Sequence, residues 1–126
     1  MIKTKLTATL LLLFCNAAIY AQDISKAIDA KALAVQSKLV EWRRHIHEHP
    51  ELGSREFKTA AYIVEQLQGL GLEIKTGVGR TGVVAILKGG KPGPVIALRA
   101  DIDALPVKER VNIPFASKDS TDYNGQ

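Results

Sequence analysis

Between residues 23 and about 47, apolar side chains recur at Ile28, Ala32 and Leu33, Val35, Leu39, Trp42 and Ile46 among charged and polar neighbours. That spacing follows the period of an α-helix and predicts one apolar stripe along it. Pro50 ends the element, because its ring disfavours the helical region for His49. Ser54 is a good N-cap for a second helix, with Glu56 in the first turn, where the helix dipole favours an anion. Phe57, Ala60, Ala61, Val64 and Leu67 form the predicted inner face, and Gly69 or Gly71 supplies the terminator.

Past Gly71 the period changes to that of strands. Residues 72–76 ("LEIKT"), 83–87 ("VVAIL") and 95–99 ("VIALR") read as three strands. The last two are apolar on both faces, which predicts a place inside a sheet covered by helices on both sides. The turn-rich run "KGGKPGP" predicts a hairpin between them. After Pro106 there is one apolar cluster, residues 111–115, and then a polar tail. Two helices and three strands cover one face of a sheet and leave the other bare, so the pattern predicts the opening portion of a larger α/β domain.

The start of the chain has a different pattern. Lys3 and Lys5 precede an uncharged run of 16 residues, "LTATLLLLFCNAAIYA", that closes on small residues at Ala17, Ala18 and Ala21. This is the order of a secretory signal peptide, expected over residues 1–21, with cleavage leaving Gln22 as the new N-terminus. An uncleaved anchor and a buried core helix are the competing readings. The run is short of the roughly 20 apolar residues that a bilayer-spanning helix needs, and Thr7, Thr9 and Asn16 weaken it further. Cys15 suggests a lipoprotein signal, but bulky Phe14 stands where a small residue is wanted. On the signal reading the protein is secreted or periplasmic, with no stable membrane insertion once the signal is gone.

Removing that segment changes the chemistry open to the rest. The mature part, residues 22–126, has no cysteine, which excludes disulfides and thiolate metal ligands within it. Two of 17 Lys and Arg leave with the signal, so 15 face 13 Asp and Glu and the net charge falls from +4 to +2. The charges are interspersed, without the basic stripe and interleaved aromatics of a nucleic-acid footprint, so no nucleic-acid partner is expected.

Four motifs carry possible chemistry. "GVGRTG", residues 77–82, matches a dinucleotide fingerprint in letters, but the fingerprint needs a helix to start at its last glycine. Here Val83, Val84 and Ile86 follow and favour a strand, so the run reads as a turn and no nucleotide cofactor is expected. "GGKPG" fails as a phosphate loop, since Ala85 stands where its first glycine belongs and Pro92 where a Ser or Thr would hold magnesium. In "HIHEHPE" His45 and His49 share a helix face at i and i+4, as two zinc ligands would, while His47 points elsewhere. With no second ligand group of matching spacing, a polar helix end competes with a metal site. In "RADID" the carboxylates Asp101 and Asp103 project together from the end of an extended segment, where ligand sites gather in α/β sheets. Two loop carboxylates bonded to backbone amides and to Arg99 are the alternative.

Taken together, "WRRHIHEHPELGSREFKTAAYIVEQLQGLG", "GVGRTGVVAILKGGKPGPVIALRADIDALPVKE" and "IPFAS" resemble the zinc-exopeptidase-type amidohydrolases, the family of hippurate hydrolase, N-acyl-amino-acid amidohydrolase and the plant hydrolases of indole-acetyl-amino-acid conjugates. The resemblance covers residues 42 to about 117. It implies the N-terminal portion of a three-layer α/β/α catalytic domain, incomplete in this chain, with a second domain inserted that covers the site or makes a homodimer. It also implies a metal-dependent hydrolase of linear amides, with an N-acyl amino acid as small-molecule substrate. Two divalent metal ions, zinc or manganese or similar, polarise the amide carbonyl and acidify the water, and a glutamate acts as general base.

Residue by residue, the resemblance puts Asp101 where related peptidases have a metal-binding histidine, and makes Asp103 the supporting aspartate that orients a neighbouring ligand. His47, His49, Pro50 and Glu51 match the family's "HPEL" signature without an assigned role. The metal-binding Cys and His lie, in the family, in a His-Ala-Cys-Gly-His-Asp segment soon after the "PFAS" region, with the general base later still. Gln126 comes before any of them. The 126 residues alone are therefore expected to hold no metal and to be inactive. A small secreted α/β binding module without chemistry, and a metallopeptidase relative acting on peptides, are the alternatives.

Overall fold

A computed structural model of the chain describes residues 2–125, with side chains from Ile24 onward. It divides after Trp42 into two compact units. Helix α1, Ile2–Glu48, supplies the first unit and reaches into the second. The predicted helix over residues 23–47 lies inside it. Backbone in the expected signal segment is helical from Ile2, while Met1 and the side chains that carry the signal pattern lie outside the described residues. No helix among the described residues is long and apolar enough to cross a membrane. Ile28, Leu33, Val35 and Leu39 are exposed along α1. Lys38 pairs with Glu41 at 2.9 Å across one turn, an exposed contact of small energetic weight. The end of the helix follows expectation: α1 closes at Glu48, the His49 N–H donates to the His45 carbonyl at 3.2 Å, and Pro50 lies outside the helix.

In the second unit helix α2 spans Phe57–Leu67. Its start corrects the predicted cap. Ser54 has a φ of 63°, in the left-handed region, and its N–H donates to Glu56 Oε1 at 2.8 Å, so it is a turn residue rather than the N-cap. Glu56 occupies the cap position. The predicted inner face is also rotated: Phe57 and Ala61 are exposed, while Thr59 is buried and Ala60, Ile63, Val64 and Leu67 are half-buried. Polar contacts at the first turn, described below, set this rotation more strongly than the apolar count. At the other end Gly69, with a φ of 79°, supplies the expected left-handed terminator.

Strands β1, Glu73–Val78, and β2, Gly82–Ile86, form a two-stranded antiparallel sheet against which α2 packs. Glu73 faces Ile86, Lys75 faces Val84 and Val78 faces Gly82, with a bulge between Lys75 and Val78. The turn uses left-handed conformations at Gly77, Gly79 and Arg80. Gly82 is needed for a different reason: a Cβ there would lie 2.5 Å from the Val78 carbonyl oxygen. A strand follows Gly82, so "GVGRTG" is a hairpin turn, as its valines predict.

The third predicted strand, residues 95–99, does not form. This run has no regular secondary structure and no strand partner among the described residues, and Val95 and Leu98 are 97% and 96% exposed. The predicted hairpin with β2 and the burial on both faces are therefore absent among the described residues. An apolar run becomes a strand only when its N–H and C=O groups find an aligned neighbour, and the proline- and glycine-rich link after β2 does not fold it back. Burial is concentrated elsewhere. Leu52, Glu56, Thr59 and Thr81 are the buried side chains among the described residues, so the heart of this unit is small and mostly polar.

Candidate functional site

The four buried residues join the "HPEL" segment, α2 and the hairpin turn. Glu51 Oε2 accepts from the Thr59 N–H at 2.7 Å and from the Thr59 hydroxyl at 2.9 Å. Glu56 Oε2 accepts from the Thr81 hydroxyl at 2.5 Å. Two carboxylates thus serve the start of α2, where backbone N–H groups lack partners within the helix and the dipole favours negative charge. The Thr81 hydroxyl, followed by the N–H groups of Glu56, Ser54 and Arg55, holds the Glu56 carboxyl below its ordinary range against the opposing effect of burial.

The carboxylates predicted from "RADID" lie at the edge of this node. Asp103 is exposed, and its Oδ2 is 3.5 Å from where a Cβ on Gly53 would sit. Next to it Ala104 pairs in parallel with Leu52, and its N–H donates to the Glu51 carbonyl at 2.8 Å. Asp101 is exposed and engages the Arg99 guanidinium at 2.9 Å. Leu52 and Ala104 also line a cleft of about 600 Å³, bounded further by Pro50, Val107, Asp119 and Tyr123. The structure therefore brings Asp103 beside "HPEL" and within one residue of a concave surface.

The three histidines have separate partners. His45 and His49 share a face, with ring centroids 5.1 Å apart, and His45 stacks on Tyr62 at 4.0 Å. His49 Nδ1 lies 3.6 Å from Asp119 Oδ2. His47 Nε2 meets Glu109 Oε2 at 2.7 Å, and the ring packs edge-on against Phe115. The Val111 N–H, then His47 and the Arg110 N–H, hold the Glu109 carboxyl below its ordinary range. Among the described residues no group of three His, Cys, Asp or Glu side chains is placed to hold a metal ion. His47 and His49 fasten the segment after Pro106 to the end of α1.

Sequence reasoning missed the roles of Glu51, Thr59 and Thr81. A glutamate eight residues ahead of its threonine and another 25 residues from its partner leave no periodic trace. Only the position of Glu51 within "HPEL" marked it.

No protein-family model matches the chain. Individual proteins do. It is 44% identical over 98 residues to an N-acyl-L-amino acid amidohydrolase of Geobacillus stearothermophilus, covering 77% of this chain and 25% of the relative. It is 44% identical over 86 residues to a hippurate hydrolase of Campylobacter jejuni, covering 68% of this chain and 22% of the relative. Among solved structures, a dinuclear metal-binding peptidase of the M20 family from Bacillus subtilis is 49% identical, with a TM-score of 0.62 over 68% of this chain and 24% of that one. Over the matched residues the chain is homologous to these amidohydrolases. Its fold is that of the corresponding part of the M20 structures, and a further one, from methicillin-resistant Staphylococcus aureus, gives a TM-score of 0.66 at 42% identity over 69% of this chain and 22% of that one. The chain spans about a quarter of the length of the relatives it matches.

Proposed function

We propose that this chain is the N-terminal part of an exported, metal-dependent amidohydrolase that cleaves the amide bond of N-acyl amino acids, and that the 126 residues alone are inactive. The observation that carries the reading is the 44% identity to an N-acyl-L-amino acid amidohydrolase across 98 residues. Export is inferred from the basic, apolar, small-residue order of residues 1–21. That order also supports a secreted or periplasmic location.

A two-metal centre does not fit the described residues by themselves. Asp101 is committed to Arg99, Asp103 stands beside Gly53, and no third ligand-type side chain joins them. The part this chain plays is to place the Asp103 carboxylate, an acceptor able to orient a neighbouring donor, on a segment pinned to "HPEL".

The test is metal content and hydrolysis of hippurate-type substrates, measured on residues 22–126 and on a form extending over the full length of its relatives. Metal and turnover only in the longer form support the reading, and turnover in the short form overturns it. In the longer form Asp103→Ala should lower turnover by about 10–100-fold while leaving the fold intact; wild-type turnover in that variant removes Asp103 from the site. A second reading, action on peptides, is favoured by 41% identity over 97 residues to a thermostable carboxypeptidase of Saccharolobus solfataricus. Dipeptides tested beside acyl amino acids separate the two.

A further inference from the structure

We propose that Glu51 is a positioning residue for Asp103, coupling the start of α2 to the segment that bears the candidate site carboxylates. The inference rests on the reading of Asp103 as a supporting group in amide hydrolysis. Two ends of one residue carry it. The Glu51 carboxylate is fastened to the first turn of α2 through the Thr59 N–H at 2.7 Å and the Thr59 hydroxyl at 2.9 Å, and Thr59 is buried. The Glu51 carbonyl accepts from the Ala104 N–H at 2.8 Å, and Leu52 continues that contact as a parallel pair with Ala104.

What gives this coupling its weight is how few other tethers the run has among the described residues, an exposed Lys88–Glu73 ion pair at 3.2 Å being one. From residue 87 to residue 103 the described chain has no strand pairing, and its apolar part is almost fully exposed. Among the described residues, the Ala104 N–H to the Glu51 carbonyl is the main-chain hydrogen bond that fixes this run. Asp103 immediately precedes it, so the register of the Leu52–Ala104 pair sets where its carboxylate stands. Gly53 lies alongside, a Cβ there standing 3.5 Å from Asp103 Oδ2, in ordinary van der Waals contact. Helix α2 is the rigid reference, Glu51 the link and Asp103 the group positioned.

The experiment compares Glu51→Ala and Glu51→Gln in a form spanning the full length of the relatives. It reads hydrogen exchange at the Ala104 amide, and kcat and KM for an N-acyl amino acid. Glu51→Ala removes the carboxylate that fastens the loop. Exchange at Ala104 should become several-fold faster, and kcat should fall by about tenfold or more with KM little changed. Glu51→Gln keeps an acceptor for Thr59 and should recover most of both. A stable Glu51→Ala variant with wild-type exchange at Ala104 and wild-type kcat overturns the proposal, as does a fall in melting temperature with kcat unchanged below it. Should Glu51→Ala fail to fold, Thr59→Val, which removes only the hydroxyl bond, takes its place: faster exchange at Ala104 supports the link and unchanged exchange overturns it. A wild-type protein that hydrolyses no acyl amino acid sinks the functional reading alone, because exchange at Ala104 judges Glu51 without activity.

Discussion

Strand β2 and the run at residues 95–99 have the same kind of sequence, short, rich in β-branched and aliphatic residues and apolar on both faces, yet only one is a strand. Residues 82–86 pair with β1 across a turn that Gly77, Gly79 and Gly82 make possible. Residues 95–99 follow "KGGKPGP" and pair with no strand among the described residues. Apolar character is therefore a statement about what a segment tolerates once paired. Pairing itself depends on a neighbour brought close, either by a tight turn or by distant chain. The comparison also explains why the unit is held by polar contacts: without a sheet to receive α2 on a broad face, the glutamates at its start fix its position.

Breaking the paired side of the comparison gives the largest effect. Gly82→Val puts a Cβ within 2.5 Å of a backbone oxygen, which no side-chain movement relieves. It should destabilise the second unit by about 2–3 kcal/mol, toward the upper end for single substitutions, as read by urea unfolding. A cost near zero would mean that the hairpin turn is not formed. An intermediate effect is expected at Thr81. Thr81→Val removes the hydroxyl that is the main cause of the lowered Glu56 carboxyl, which should then titrate nearer its ordinary value in a carbon-13 NMR titration.

The same groups set the acid response. Glu56 and Glu109 both ionise more readily in the folded chain than in the unfolded one. Each contributes stability that is fully present above the ordinary glutamate value and is lost as the pH falls through the lower folded value. Acid unfolding should therefore begin below the ordinary glutamate range, and Thr81→Val should reduce the loss by removing part of the Glu56 contribution. Stability that rose on acidification through that range would contradict both assignments.

The smallest effect belongs to the unpaired side. Leu98→Ser replaces a side chain that is 96% exposed and should change stability by no more than about 0.5 kcal/mol. Amides at residues 95–99 should exchange quickly while those of β2 are protected. A large cost at Leu98 would show that this run is paired after all.

Much of this was legible along the chain. Pro50 marked the end of α1, Gly69 the end of α2, and the valines after "GVGRTG" showed that those glycines serve a hairpin rather than a phosphate. Ser54 misled because a Ser two residues ahead of a glutamate looks like a cap, whereas its left-handed backbone makes it a turn residue two positions ahead of the cap. The rotated face of α2 was illegible for a related reason: Phe57 outranks Thr59 in any apolar pattern, but Thr59 has a carboxylate waiting for it.

By itself the sequence determined the two helices and the two paired strands, the turn chemistry between those strands, the absence of cysteine after residue 21, and the motifs that resemble those of amidohydrolases. These are properties of neighbours along the chain, where period, ring constraint and glycine freedom act over a few residues. Only the tertiary structure decided that Glu51 reaches Thr59 and Ala104, that Thr81 meets Glu56, and that residues 95–99 stay unpaired. Those outcomes depend on which donor finds which acceptor at separations from 8 residues upward, and a hydrogen bond of that kind leaves no period in the sequence to read.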